Sequence, residues 1–155
     1  MDPLSIVCSL GPVIGQTVKV VKLLHELHDT LRDAPLLLSS ITSECSIVGT
    51  SLGLLQDMQN RKNNRRSLQS TQVFATFDMA LASCSLILSV LEKDVKACLK
   101  AGKQPGDGDA VRQCQLILSK DHLHELLLQL RGQQQAITLL LSTMQRYPEL
   151  FALRY

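Results

Sequence analysis

Aromatic residues are scarce in this 155-residue chain, which has no tryptophan and only 3% aromatic residues overall. A stacking platform for nucleic-acid bases needs several aromatic rings, so this deficit argues against nucleic-acid binding. The net charge of +2 is too small to favour a polyanionic partner, and no base-reading motif is present. The sequence therefore predicts no nucleic-acid partner and a core built from aliphatic side chains.

Catalytic and metal-binding motifs are also missing. The chain has no nucleophile elbow, no phosphate loop and no dinucleotide fingerprint. His25 and His28 share a helical face, yet no cysteine or glutamate with supporting local spacing completes a metal site. We therefore expect no enzymatic activity, no cofactor and no metal.

The cysteines form no CxxC pair, and their number, five, is odd. A closed disulfide framework would leave one thiol over, so we interpret them as small buried residues in a reducing compartment. The chain begins with the acidic Asp2, and no small-residue cleavage site follows the first apolar run, which argues against a secretory signal. Together these features predict a cytoplasmic protein.

Hydrophobic residues make up 45% of the chain and recur at helical spacing. Polar stretches at residues 33–35, 60–67 and 101–109 divide the chain into four segments, each long enough for a helix. We predict one all-α domain over residues 1–155, an up-down bundle of four to five helices with a hydrophobic N-terminal helix. The helices are expected at about residues 3–31, 35–58, 70–101 and 109–146. Alternatively, Ser119 or Asp121 starts a new segment after a break.

The last three segments each place one apolar stripe on one helical face. These stripes are the predicted core. They comprise Leu38, Ile41, Cys45, Val48, Leu52 and Leu55; Phe74, Phe77, Leu81, Cys84, Leu88, Leu91, Val95 and Cys98; and Leu116, Leu123, Leu126, Leu127, Leu130, Ile137, Leu140, Leu141 and Met144.

The first segment differs, because residues 3–18 carry no charge and their apolar side chains surround the helix axis. Sixteen residues span roughly 24 Å as a helix, somewhat short of the roughly 30 Å of bilayer hydrocarbon. Gly11 and Gly15 form a GxxxG motif of the kind that lets membrane helices approach closely. Alternatively, these glycines relieve crowding, or allow a bend at Pro12, inside a soluble bundle.

We interpret the first segment as a conditional helix, buried in the resting domain and able to enter a bilayer when it is released. The candidates for membrane insertion are Leu4, Ile6, Val7, Leu10, Gly11, Val13, Ile14, Gly15 and Val18.

A basic run lies between the second and third segments. Arg61, Lys62, Arg65 and Arg66 provide four positive charges with no acidic residue among them. Basic residues close to an anionic leaflet contribute roughly 1 kcal/mol each to membrane binding, so these four are candidates for contacts with anionic lipid. The alternative is a solvated loop.

Four stretches together resemble the HeLo-like group, the N-terminal domains of fungal STAND (NOD-like) receptors. They are MDPLSIVCSLGPVIGQTVKVVKLLHEL at the start, LRDAPLLLSSITSECSIVGTSLGLLQ from Leu31, TFDMALASCSLILSVLEKDV from Thr76 and LHELLLQLRGQQQAITLLL from Leu123. They span nearly the whole chain in the order typical of the group. The chain departs from many members in lacking a tryptophan before the last stretch.

The resemblance implies an all-helical effector module that executes regulated cell death, as in heterokaryon incompatibility and innate immunity. It implies that the module oligomerises on activation, moves to the plasma membrane and acts there through its hydrophobic N-terminal helix. The implied partners are other copies of the chain, membrane lipids, and a nucleotide-binding receptor domain in cis or in trans.

An adaptor is the alternative function. Such a module would signal by homotypic association of folded bundles without damaging a membrane. Its binding face would be formed by exposed apolar residues or by polar residues of the last segment, such as Gln129, Arg131, Gln133 and Gln135.

Overall fold

The structure, a computed structural model, describes residues 3–31, 36–62, 71–103 and 108–146, apart from the side chains of residues 3–9, 59, 61, 62, 71–74, 110 and 144. These parts of the chain contain helices and no strand, and the all-α prediction is confirmed. The helices are α1 Pro3–Thr30, α2 Leu36–Lys62, α3 Thr71–Lys103, α4 Gly108–Ile117 and α5 Lys120–Arg146.

The predicted fourth helix, 109–146, is wrong as a single element, because α4 and α5 are separate helices. The backbone N–H of Ser119 donates to the carbonyl of Leu116 at 3.1 Å and closes a tight turn at the end of α4. The Ser119 hydroxyl then accepts from the backbone N–H of His122 at 3.4 Å, as a helix N-cap does. The break therefore falls at one of the two alternatives that the sequence left open.

The four long helices form a ring in which α1 contacts α2 and α3, and α5 contacts the same two helices from the opposite corner. α4 packs mainly along α3. Gln16 contacts Ser85 and Ser89, and further along both helices Lys19 contacts Glu92. Because these contacts move towards the C-terminal ends of both helices together, α1 and α3 run parallel.

The other two long helices run in the opposite direction. His122 near the start of α5 contacts Asp94 near the end of α3, so α5 is antiparallel to α3. Glu44 near the start of α2 contacts Arg131 of α5, so α2 and α5 lie side by side and run in the same direction. The result is an up-down bundle whose second and third helices lie on a diagonal.

The core lies where the sequence stripes predict it. Of the stripe residues whose side chains are described, all are buried except Leu140, which is partly buried against the core, and Leu116. Leu116 is 72% exposed because α4 is a separate helix with its own rotation, and Cys114, Ile117 and Leu118 pack on the core instead. Phe74 and Met144 lie outside the described side chains.

Of the cysteines whose side chains are described, three belong to this core. Cys45, Cys84 and Cys98 are buried free thiols, whereas Cys114 is half-buried. Burial raises the pKa of Cys45 to about 12 and that of Cys84 to about 11, because a thiolate is poorly solvated in an aliphatic core. These thiols are therefore protonated at neutral pH and behave as small apolar side chains.

α1 and α2 pack tightly together at Gly49. A Cβ atom at this position would lie 3.0 Å from the methyl group of Thr17, which is buried in the interface. The Thr17 hydroxyl donates to the carbonyl of Val13 at 2.8 Å, so burial leaves this polar group satisfied. Glycine suits this position because any larger side chain would have to displace Thr17.

A pair of identical substitutions tests this contact. Gly49→Val should lower the free energy of unfolding by about 1–3 kcal/mol, because an overpacked side chain forces the helices apart. A Cβ at Gly53, one turn further along α2, meets no described atom within 4 Å, so Gly53→Val should leave the stability unchanged or raise it. Urea unfolding followed by circular dichroism measures both, and equal stability of the two variants would contradict the close approach.

Candidate functional site

The first helix divides the predicted membrane-insertion residues between the core and the surface. Leu10 and Val13 are buried in the bundle, and Ile14 is half-buried against it. Gly15 is exposed and Val18 is 49% exposed. The side chains of Leu4, Ile6 and Val7 lie outside the described residues.

The glycine pair of α1 is not used for packing between the described parts of the fold. Gly11 is half-buried and Gly15 exposed, and no described atom lies within 4 Å of a Cβ built at either position. Pro12 lies on the same outer side, and α1 remains helical through it. Crowding between the described residues therefore does not explain these glycines, and they leave an uncharged backbone surface open on the described part of the bundle.

Polar contacts hold α1 against α3. The amide nitrogen of Gln16 donates to the Ser89 hydroxyl at 2.8 Å, and the Ser85 hydroxyl donates to the amide oxygen of Gln16 at 3.1 Å. Lys19 lies 2.6 Å from Glu92 at the point where the charged part of α1 begins. These contacts fix the register between the helices, although ion pairs at a protein surface usually add little to stability.

Glu92 is the centre of a three-residue charge cluster. It accepts from Lys19 on α1 and from Lys96 one turn further along its own helix. Hydrogen bonds from these two ammonium groups hold the pKa of Glu92 below its usual 4.5. The reciprocal hydrogen bond and charge of Glu92 raise the pKa of Lys19.

A second ion pair joins α2 to α5. The Nε atom of Arg131 donates to Glu44 Oε1 at 2.9 Å, and the Glu44 side chain is only 14% exposed. Its second oxygen, Oε2, is buried and has no hydrogen-bond partner within the described parts of the chain. Arg131, predicted as part of an adaptor face, therefore binds within its own bundle.

The other predicted residues of the adaptor face have mixed positions on α5. Gln129 is exposed and donates to Glu125 at 3.3 Å, Gln133 is half-buried and Gln135 is exposed. Gln135 lines a shallow surface groove of about 330 Å³ together with Gln134, Thr138, Leu139 and Ser142.

The predicted lipid-binding cations lie at the end of α2 and beyond it. Arg61 and Lys62 belong to its last turn, but their side chains are outside the described residues. Arg65 and Arg66 lie in the stretch that is not described. Contact of these four residues with anionic lipid stays a prediction.

The described residues contain no group of three histidine, cysteine or acidic side chains that could hold a metal ion. His122 instead pairs with Asp94 at 2.9 Å between α5 and α3. His25 and His28 are exposed near the end of α1.

Within the described chain, one helical stretch, Ala75–Lys103 of α3, is long and apolar enough to cross a membrane by length and composition. The core helix of a bundle meets the same criterion, and 39% of the apolar window is buried. This stretch also exposes Met79, Leu86 and Val90, a set that the sequence analysis missed. The sequence signal that could have identified this set is that its apolar residues lie outside the predicted core stripe of the same helix.

Comparison of the sequence with protein-family models, with curated proteins and with solved structures finds no match in any of the three. The resemblance to HeLo-like domains therefore stays a prediction.

The low pKa of Glu92 predicts an acid-sensitive contact between α1 and α3. Because the pKa is lower in the folded chain than in the unfolded one, the contact stabilises the fold above about pH 4.5 and this contribution is lost as the pH falls through the folded-state value. The melting temperature of Glu92→Gln should therefore fall less than that of the wild type between about pH 6 and about pH 3.

Glu125→Gln, which changes an exposed carboxylate of α5, is the matched control and should keep the wild-type profile. Carbon-detected NMR titration of Glu92 should give a pKa below 4.5 that rises in Lys19→Met. A Glu92 titration unaffected by removal of Lys19 would contradict the cluster.

Proposed function

We propose that this chain is the N-terminal effector domain of a fungal NOD-like receptor, which oligomerises and acts on the plasma membrane through α1 to induce regulated cell death. The observation that carries the proposal is the two-sided character of α1. Its inner side belongs to the aliphatic core, and its outer side offers Gly11, Gly15 and Val18 without a charge before Lys19. Such a helix is compatible with both a bundle core and lipid.

The core contacts of α1 keep it in the bundle at rest. They involve five fully or almost fully buried side chains, Leu10, Val13, Val20, Leu24 and Leu27. Exposing them to water would cost on the order of 10 kcal/mol, at about 1.5–3 kcal/mol for each side chain. Lipid removes this cost for Leu10 and Val13, which lie in the uncharged part of α1, because hydrocarbon accepts aliphatic side chains as readily as the core does.

In this proposal the domain rests in the cytoplasm and moves to the plasma membrane on activation. A nucleotide-binding receptor domain, in cis or in trans, supplies the activating signal. Anionic lipid attracts the basic residues Arg61, Lys62, Arg65 and Arg66.

Dye release from vesicles tests the role of α1. Deletion of α1 would remove part of the core, so we choose the double variant Gly15→Lys/Val18→Lys, which adds charge only on the exposed side. The wild type should release dye from phosphatidylserine vesicles, and the double variant should be at least about tenfold slower, because each charge is costly in hydrocarbon.

Leu116→Lys adds a charge at an exposed apolar site on α4 and should behave as the wild type. Circular dichroism confirms that each variant is folded. Equal release by the wild type and the double variant would exclude the outer side of α1 as the membrane-active surface.

A non-lytic adaptor is the second candidate function. The exposed side chains of Leu86 and Leu139 favour it, because large exposed apolar groups often mark protein interfaces. Association in solution without any vesicle leakage would support the adaptor over the membrane effector.

A further inference from the structure

Two interhelical ion pairs lie at boundaries of uncharged sequence. Lys19 is the first charged residue after the uncharged residues 3–18 of α1, and its partner Glu92 follows the uncharged residues 79–91 of α3. Glu44 immediately precedes an equally uncharged run in α2, and its partner Arg131 precedes another in α5. In α1, α3 and α5 the sequence therefore changes from charged to uncharged at an ion pair, and in α2 Glu44 is the single charged residue between Leu36 and Gln56.

The boundaries in α1, α2 and α3 lie at nearly the same level of the bundle, and Arg131 of α5 reaches that level through its contact with Glu44. Thr17 of α1 faces Gly49 of α2, which places Lys19 within about one helical turn of the level of Glu44. The uncharged runs consequently lie side by side and form what we call the neutral belt, residues 3–18, 45–56, 79–91 and 132–145. At about 1.5 Å per residue, each run is roughly 18–24 Å long.

The neutral belt carries most of the exposed large hydrophobic side chains. They are Val18, Ile47, Leu54, Met79, Leu86, Val90 and Leu139, whereas those outside the belt are Leu36, Val111, Leu116 and Leu128. A surface that combines exposed apolar groups with an absence of charge is typical of the centre of a protein interface.

Glycines in the belt point to close approach by another molecule. Gly11, Gly15, Gly53 and Gly132 all lie within helices, and none has a described atom within 4 Å of a built Cβ. Each costs about 1 kcal/mol relative to alanine in a helix, and packing between the described residues does not explain this cost. An approaching helix would use the open space, because small residues let two backbones come close.

Several hydroxyl groups of the belt can lose contact with water at little cost. Thr50 donates to the carbonyl of Ser46 at 3.0 Å, and Ser142 donates to the carbonyl of Thr138 at 2.9 Å. Their donors are already satisfied by their own helices, so covering them leaves no unpaired donor.

We propose that the neutral belt is the surface through which copies of this chain associate side by side, with their belts at the same level. The inference rests on the self-association part of the proposed function and names its surface. A neighbouring copy brings the same uncharged surface to the contact, so no charge of either copy has to be buried unpaired. On the side of the ion pairs away from the belt, acidic and basic residues are present in nearly equal numbers. Adjacent copies therefore do not repel one another there.

Charges at the lower edge favour a protein neighbour over lipid hydrocarbon as the occupant. Asp57, Asp78 and Arg146 end the uncharged runs of α2, α3 and α5 on the side opposite to the ion pairs. If the intact bundle entered a bilayer with this end first, these residues would have to cross the hydrocarbon. Lateral contact between copies leaves them in water.

Charge insertion at matched exposed leucines tests the proposal. Leu139→Glu on α5 and Leu86→Glu on α3 change belt residues that are 69% and 70% exposed, and Leu116→Glu changes a residue outside the belt that is 72% exposed. Sedimentation velocity across a concentration series measures the dissociation constant of the full chain. Each belt variant should weaken association by about tenfold or more, whereas Leu116→Glu should match the wild type.

Gly132→Leu is a second test that adds no charge. No described atom lies within 4 Å of a Cβ built at Gly132, which is itself exposed, so the variant should fold normally and yet associate more weakly. Wild-type association that is unaffected in all three belt variants would overturn the proposal, as would a wild type that stays monomeric both in solution and on phosphatidylserine vesicles.

The vesicle assay separates this inference from the proposed function. Loss of association in the belt variants, with a wild type that associates but never releases dye, would support the belt and reject the membrane effector. Dye release by a wild type that stays strictly monomeric would support the membrane effector and reject self-association through the belt. Binding of the wild type to vesicles as monomers, abolished by Leu86→Glu, would identify lipid as the occupant and overturn self-association.

Discussion

The register of α1 against its two neighbours is the constraint on which the rest of the structure depends. The contact between Thr17 and Gly49 sets α1 against α2, and the Lys19–Glu92 pair sets it against α3. When the positions of α1 against α2 and against α3 are fixed in this way, aliphatic side chains from each helix meet at the same level. They then fill the core, which contains almost no aromatic residues. A shift by one residue would rotate buried leucines out and polar groups in.

The same register gives α1 its dual character. Its inner stripe binds it strongly to the bundle, whereas its connections at the rim are hydrogen bonds and exposed ion pairs that contribute little. The helix is thus retained almost entirely by the hydrophobic effect, which is non-directional and has no preference between a protein core and a lipid core. Retention of this kind makes release depend on the solvent that is offered rather than on the breaking of particular bonds.

The sequence predicted the core better than the surface. Apolar spacing identified the buried stripes of α2, α3 and α5, because a strongly periodic helix has one way to bury its apolar face. The division between α4 and α5 was left open, since a single serine cap decides it and serine is frequent throughout this sequence. The exposure of Leu86 and the packing role of Gly49 depend on which neighbour lies opposite, and spacing within one helix does not contain that information.

The absence of charge around the middle of the bundle has a consequence for recognition. Proteins commonly reject close paralogues through like-charge repulsion, and a neutral surface provides none. The choice between a correct partner and a paralogue would then depend on shape complementarity. Protruding leucines such as Leu139 would have to fit against notches such as Gly132. Exchange of one notch for a bulkier residue would alter the choice of partner without any change in electrostatics.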